Sequence, residues 1–155
     1  MKVKEKKDYP LIRKRTKARE IAIQMMYCAE ITEETPENVL KNFWDSIDDI
    51  DSSVKEFAVE LFTKSYATTE KNDELIKQFI SKTWTFDRIG IIEKNILRLA
   101  LTELFDEDTP IYAIMDDYVT LSKSFTDVKT ASFINGILEN IRNKFSIERN
   151  NGNKK

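Results

Sequence analysis

The sequence contains no histidine and a single cysteine, Cys28. Histidine is the usual acid–base side chain near neutral pH, and one cysteine can form neither a disulfide nor a cysteine-based metal site. The chain has only three glycines, and they build neither a glycine-rich phosphate loop nor a nucleophile elbow. We therefore expect no catalytic residue, no metal and no cofactor, and a Cys28 thiol that packs as a small hydrophobe in a reducing, cytoplasmic setting.

Long apolar runs are missing as well. The longest, residues 25–29 and 111–115, have five residues each. A membrane span needs roughly 20 apolar residues and the core of a signal peptide at least about 7. We therefore expect a soluble protein with no membrane partner and no ordinary export signal.

Length and composition favour one helical domain. A chain of 155 residues with 41% apolar residues is large enough to enclose a core. Three glycines, three prolines and 34% charged residues favour long helices over a sheet or a disordered chain. We predict an all-α fold, with a single domain at residues 1–147 and a disordered polar tail at residues 148–155.

Apolar spacing and capping signals predict about seven helices. Thr35 is a suitable N-cap before Pro36, and residues 53–56 read as a capping box. Gly136 falls inside the last helix, where a close helix crossing would explain it. The first helix is expected to begin at the basic residues 13–19, and the others to cover Pro36 to about Ile47, Val54 to about Thr68, and residues 73–82, 91–105, 111 to about 125 and 133–145. A break at residues 106–110 should precede the sixth. The fifth is apolar on most sides and should be central.

Cationic residues are concentrated at the N-terminal end. Residues 1–20 hold nine Lys or Arg against three Asp or Glu on a chain of net charge −2, whereas residues 30–60 hold ten acids and two Lys. Arg15 and Arg19 are four residues apart and share one side of the first helix, and we expect both to project away from its apolar stripe. The pattern favours binding of a polyanion, and a solvated helix end is the alternative.

Several segments together resemble a known family. They are residues 13–27, RKRTKAREIAIQMMY, residues 92–104, IEKNILRLALTEL, residues 121–125, LSKSF, and residues 133–138, FINGIL. In this order and spacing, with Pro110 and the acids at 116–117 between them, they resemble the NusB family of bacterial transcription antitermination factors. Residues 30–80 match that family only in their helical pattern.

The resemblance implies a fold of two packed helical subdomains without catalysis. It implies binding of the single-stranded boxA element of nascent RNA together with NusE, a small-subunit ribosomal protein. The pair would join other Nus factors on the elongating RNA polymerase, and some relatives form homodimers. By position, the RNA-contacting residues would be Arg13, Lys14, Arg15, Arg19, Phe79, Glu93, Arg98 and Phe133. Cations along the backbone and aromatic rings against splayed bases are the usual means of holding single-stranded RNA.

Other roles remain open for four of these residues. Phe79 and Phe133 lie on apolar stripes and could belong to the core. Arg98 could pair with an acid, and Glu93 could be a first-turn acid favoured by the helix dipole. The chain also has serine at position 132, where the family often has lysine, and Thr126, where it commonly has glycine.

Two other functions are compatible with the resemblance. A NusB-like module also forms the N-terminal part of some ribosomal RNA cytosine methyltransferases. No nucleotide-binding domain follows it within these 155 residues, which favours a stand-alone role. A helical adaptor that binds only protein is the third possibility, and the concentrated basic cluster argues against it.

Overall fold

The computed structural model of the chain describes residues 9–46, 50–80, 85–106, 109–145 and 147, with the backbone alone at residues 9–12 and 46. Within these residues every regular element is helical, which confirms the predicted all-α fold. The helices are α1 (Tyr9–Thr32), α2 (Pro36–Phe43), α3 (Ser52–Ala67), α4 (Thr69–Phe79), α5 (Ile91–Leu104), α6 (Ile111–Phe125) and α7 (Val128–Lys144). Single 3-10 turns lie at Trp44–Ser46 and Phe86–Arg88. In the described part, each helix is too short or too polar to cross a membrane.

The basic residues lie inside α1, so the prediction that they begin this helix was wrong. The helix begins at Tyr9, which makes Arg13 its fifth residue. Pro10 stands in the first turn, where its fixed φ suits a helix and its missing N–H needs no partner. The cationic side chains therefore project from a formed helix rather than from a fraying end.

Side-chain caps set the starts of three helices. The Thr35 hydroxyl accepts a hydrogen bond from the N–H of Asn38, as predicted for α2. The capping box was placed wrongly: α3 begins at Ser52, and the carboxylate of Asp51 accepts from the Ser53 N–H at 2.8 Å. At α7, the Asp127 carboxylate accepts from the Thr130 N–H at 2.7 Å. This cap explains why α7 begins at Val128, five residues before the predicted start.

Two other boundaries differ from the predictions. α2 ends at Phe43 and continues as the 3-10 turn, and the predicted end at Ile47 lies outside the described residues. α4 begins at Thr69, four residues before the predicted start, because residues 69–72 continue the helical backbone after a brief break at Thr68. The predicted end of α4 at residue 82 also lies outside the described residues.

Among the described residues, no helix makes the close crossing that was expected at Gly136. A Cβ built at this position would meet no atom within 4 Å, and Gly136 is exposed. It lies two residues from both Ile134 and Leu138, which are buried. A separation of two residues is about 200° around a helix, so Gly136 occupies the solvent side of α7.

The chain divides into two compact units, residues 1–63 and residues 64–155. In the first unit α1 packs against α2. In the second unit α5 contacts α4, α6 and α7, which confirms the predicted central position of this helix. Its buried residues are Asn95, Ile96, Leu97, Arg98, Leu99, Ala100, Leu101, Glu103 and Leu104. Three of these are polar or charged, and their burial requires partners.

Candidate nucleic-acid interface

In the first unit, Asp51 and Phe57 contact three of the four predicted cationic residues of α1. The Arg15 guanidinium carbon lies 3.9 Å from the centre of the Phe57 ring, and that of Arg19 lies 5.9 Å from the same centre. Lys14 Nζ lies 3.2 Å from an oxygen of Asp51. Arg13 is exposed, with no carboxylate within 4.0 Å among the residues that the structure describes. Phe57 of α3 and Asp51, directly before that helix, are therefore the partners of Lys14, Arg15 and Arg19.

The Lys14–Asp51 pair also belongs to the start of α3. Asp51 accepts from both the hydroxyl and the N–H of Ser53, at 2.6 and 2.8 Å. These bonds, and the one from Lys14, lower the pKa of Asp51 to about 2. The carboxylate is therefore charged at neutral pH, and it fixes Lys14 beside the first turn of α3.

Arg19 differs from Arg15, and the expectation that both project away from the apolar stripe was wrong for Arg19. Arg15 is exposed, whereas Arg19 is only 3% exposed. Arg19 follows the buried Ala18 and precedes the buried Ile21 and Ala22. A separation of four residues rotates the side-chain direction by about 400°, which is about 40° more than one full turn. This rotation places Arg19 nearer the buried side of α1 than Arg15.

In the second unit, the guanidinium of Arg98 is bonded on every nitrogen. Its Nε and Nη2 donate to the two oxygens of Asp73 on α4, at 2.7 and 2.8 Å, and Nη1 donates to Asn95 at 2.8 Å. Its carbonyl oxygen accepts from Thr102 at 2.9 Å and from Asn72 at 3.4 Å. Arg98 is 6% exposed. The alternative role suggested by the sequence, pairing with an acid, is thus the one that the geometry supports.

Phe79, Glu93 and Phe133 are neither core nor fully exposed. Each is half-buried, so the two rings are not enclosed as core residues would be. Phe79 is the last residue of α4, and Glu93 lies in the first turn of α5. The Glu93 carboxylate folds back against the helix start, where a Cβ at Gly90 would collide with it. Direct contact of these three side chains with RNA stays a prediction.

One cation–aromatic cluster was missed by the sequence reasoning. Lys94 and Lys77 lie 4.4 and 5.4 Å from the centre of the Phe86 ring. Lys77 is also 3.3 Å from Glu74. The three partners come from α4, the 3-10 turn and α5, so no local spacing signals the cluster. Phe57 was missed for the same reason, whereas Asp127 was detectable as an acid directly before a helical segment.

Two further sequence expectations concerned metal ligands and the single cysteine. Among them, three or more Asp, Glu, Cys or His side chains do not gather as a metal site would require. Cys28 is a free cysteine and half-buried, so it is less enclosed than the core position expected for it.

Comparison with known proteins gives one consistent result. The NusB family profile matches residues 16–143. A transcription antitermination protein NusB of Koribacter versatilis is 29% identical over 136 residues, which cover 87% of this chain and 92% of the relative. The protein of that name from an Anaeromyxobacter species is 30% identical over 128 residues, 83% of this chain and 89% of the relative.

Solved structures agree in fold. The NusB chain in a crystal structure of antitermination factors NusB and NusE with double-stranded RNA superposes with a TM-score of 0.77 and 28% identity, covering 85% of this chain and 98% of that one. The solution structure of Aquifex aeolicus NusB has a TM-score of 0.74 and 28% identity. The match covers 86% of this chain and 90% of that one.

Proposed function

The chain belongs to the NusB family, and from this premise we propose that it is a non-catalytic transcription antitermination factor that binds single-stranded boxA RNA together with NusE. The observation that carries the proposal is the cluster of Arg13, Lys14 and Arg15 on α1. Arg13 and Arg15 are exposed, and no carboxylate of the described residues lies within 4.0 Å of either guanidinium. Exposed arginines without a carboxylate partner among the described residues are suited to phosphate groups.

The second unit would add contacts to bases. Phe79 and Phe133 are partly accessible rings of the kind on which unstacked bases pack. The Glu93 carboxylate can accept hydrogen bonds from base amino groups. Arg98 enters the proposal differently, because its donors are already bonded to Asp73 and Asn95. We assign it to holding α5 against α4.

NusE and the elongating RNA polymerase are the proposed partners. The proposal for NusE is supported by the similar NusB chain that was crystallised with NusE and RNA. That structure contains double-stranded RNA, so a test must compare the single-stranded and duplex forms. Measuring the mass of the protein in solution with and without RNA would show whether a homodimer competes with RNA binding.

Titration with RNA tests the proposal. We expect the protein to bind single-stranded boxA RNA more tightly than a scrambled strand or a boxA duplex, and NusE to strengthen the binding. If three or four cations engage phosphates, the log–log slope of affinity against salt should be about −2 to −3, at roughly 0.7 per phosphate. Fluorescence anisotropy over a salt series gives both quantities. Equal affinity for the scrambled strand, or binding that does not depend on salt, would contradict the proposal.

Position 132 offers a gain-of-binding prediction. Ser132 is exposed on α7 directly before Phe133, where the family often has lysine. If this turn faces the RNA backbone, Ser132→Lys should tighten binding to all sequences alike and steepen the salt slope by about 0.7. Asn140→Lys adds the same charge at an exposed site of the same helix and serves as the control. An equal gain in both variants would show a general charge effect, and no gain in Ser132→Lys would remove this turn from the interface.

A further inference from the structure

A single aromatic ring of α3 lies beside both arginines of α1. Phe57 is half-buried, with Arg15 3.9 Å and Arg19 5.9 Å from its ring centre. We propose that Phe57 is a positioning residue, whose ring holds the Arg15 guanidinium ready to bind an RNA phosphate. The inference rests on the proposed function for its ligand. The stacked geometry, in contrast, can be measured without RNA.

Stacking orders an arginine without using its hydrogen-bond donors. A guanidinium carries five N–H donors in its plane, and a ring below it engages only the face of that plane. Its edge then stays available to a phosphate, which can accept two parallel hydrogen bonds. A carboxylate partner would instead neutralise the charge and occupy the donors.

The protein contains both arrangements. Arg98 is 6% exposed, and its Nε and Nη2 donate hydrogen bonds to Asp73. Arg15 is exposed, lies over Phe57, and has no carboxylate within 4.0 Å among the described residues. The first arrangement joins two helices, whereas the second leaves a fixed cation facing solvent. This contrast separates a structural arginine from one prepared for an external anion.

The two arginines beside Phe57 differ in their accessibility to RNA. Arg19 is 3% exposed, so an RNA strand cannot reach most of its surface. Its guanidinium nevertheless lies beside the same ring, with its carbon 5.9 Å from the ring centre. Arg15 is therefore the contact, whereas Arg19 lies on the buried side of α1.

Fixing Arg15 before binding should raise affinity. A long exposed side chain loses rotamer freedom when it binds, and a side chain that is already ordered loses less. An exposed cation–aromatic contact corresponds to roughly a two- to fivefold effect. We therefore expect Phe57→Leu to weaken RNA binding about two- to fivefold, and Phe57→Tyr, which keeps the ring, to bind as the wild type does.

A double-mutant cycle tests this coupling. Phe57→Leu, Arg15→Gln and the double variant are titrated with boxA RNA, with Phe57→Tyr as the control for packing. If Phe57 acts through Arg15, its replacement has no further effect in the Arg15→Gln background. Additive losses would mean that Phe57 acts only on the fold, and would overturn the proposal. An unchanged affinity in a folded Phe57→Leu protein would do the same.

A measurement without RNA separates this inference from the proposed function. In the free protein, the ring current of Phe57 should shift the side-chain proton resonances of Arg15 upfield. The shift should persist in Phe57→Tyr and disappear in Phe57→Leu. Its absence from the wild type would overturn the stacking itself. A clear shift in a protein that binds no RNA would reject the proposed function, and with it the role of Phe57 in binding.

Discussion

Asp73→Ala is expected to lower the free energy of unfolding by about 3 kcal/mol. The substitution leaves the guanidinium of Arg98, whose side chain is 8% exposed, without the two oxygens to which it donates. Removing one partner of a buried ion pair typically costs about 3 to 5 kcal/mol, because the remaining charge is left desolvated and unpaired. The lower end applies here, since the Asp73 side chain is itself 17% exposed. Urea unfolding followed by circular dichroism measures the change.

The neighbouring acid provides a matched control. Glu74 also pairs with a cation, Lys77, at 3.3 Å, but its side chain is 71% exposed. Ion pairs at the surface contribute little, so Glu74→Ala should change the free energy of unfolding by less than about 1 kcal/mol. Similar losses of unfolding free energy in both variants would show that the Asp73–Arg98 pair stabilises the fold no more than a surface ion pair does. A stable Asp73→Ala protein would in turn reopen the possibility that Arg98 contacts RNA.

Local sequence signals were sufficient for most of the fold. The apolar spacing of residues 91–105 correctly predicted a central α5, and Thr35 before Pro36 correctly predicted the start of α2. Both signals involve residues within a few positions of each other, where helix geometry relates sequence directly to structure. The starts of α1, α3 and α7 were misplaced by two to five residues. There, a proline inside the first turn and two aspartate caps decided the boundary.

The supports of the candidate site could not be predicted in this way. Phe57 is 42 residues from Arg15, and Asp73 is 25 residues from Arg98. Such contacts depend on how helices are placed in the fold, which short spacing does not reveal. The same limit explains Arg19. Its spacing from Arg15 correctly predicted a shared helix side, but its burial depends on what packs against that side.

The burial of Arg19 determines how the basic cluster can be tested. Reversing Arg19 would place a carboxylate at a position that is 3% exposed, so a loss of binding could simply reflect unfolding. Arg13 and Arg15 are exposed, and charge reversal there should leave the fold intact. The informative variant is therefore the double reversal Arg13→Glu with Arg15→Glu.

This double variant should weaken boxA RNA binding by at least about 100-fold. Each hydrogen bond to a charged group contributes roughly 1.5 to 3 kcal/mol, and two new carboxylates would also repel the backbone. Loss of two phosphate contacts should make the salt slope shallower by about 1.4. The control, Lys41→Glu with Lys71→Glu, changes the net charge equally at two exposed sites outside the cluster. Because Lys41 and Lys71 are not predicted RNA contacts and salt screens exposed charges, the control should keep most of its affinity. Equal losses in the two double variants, with melting temperatures unchanged, would mean that RNA responds to net charge and that α1 carries no specific contact.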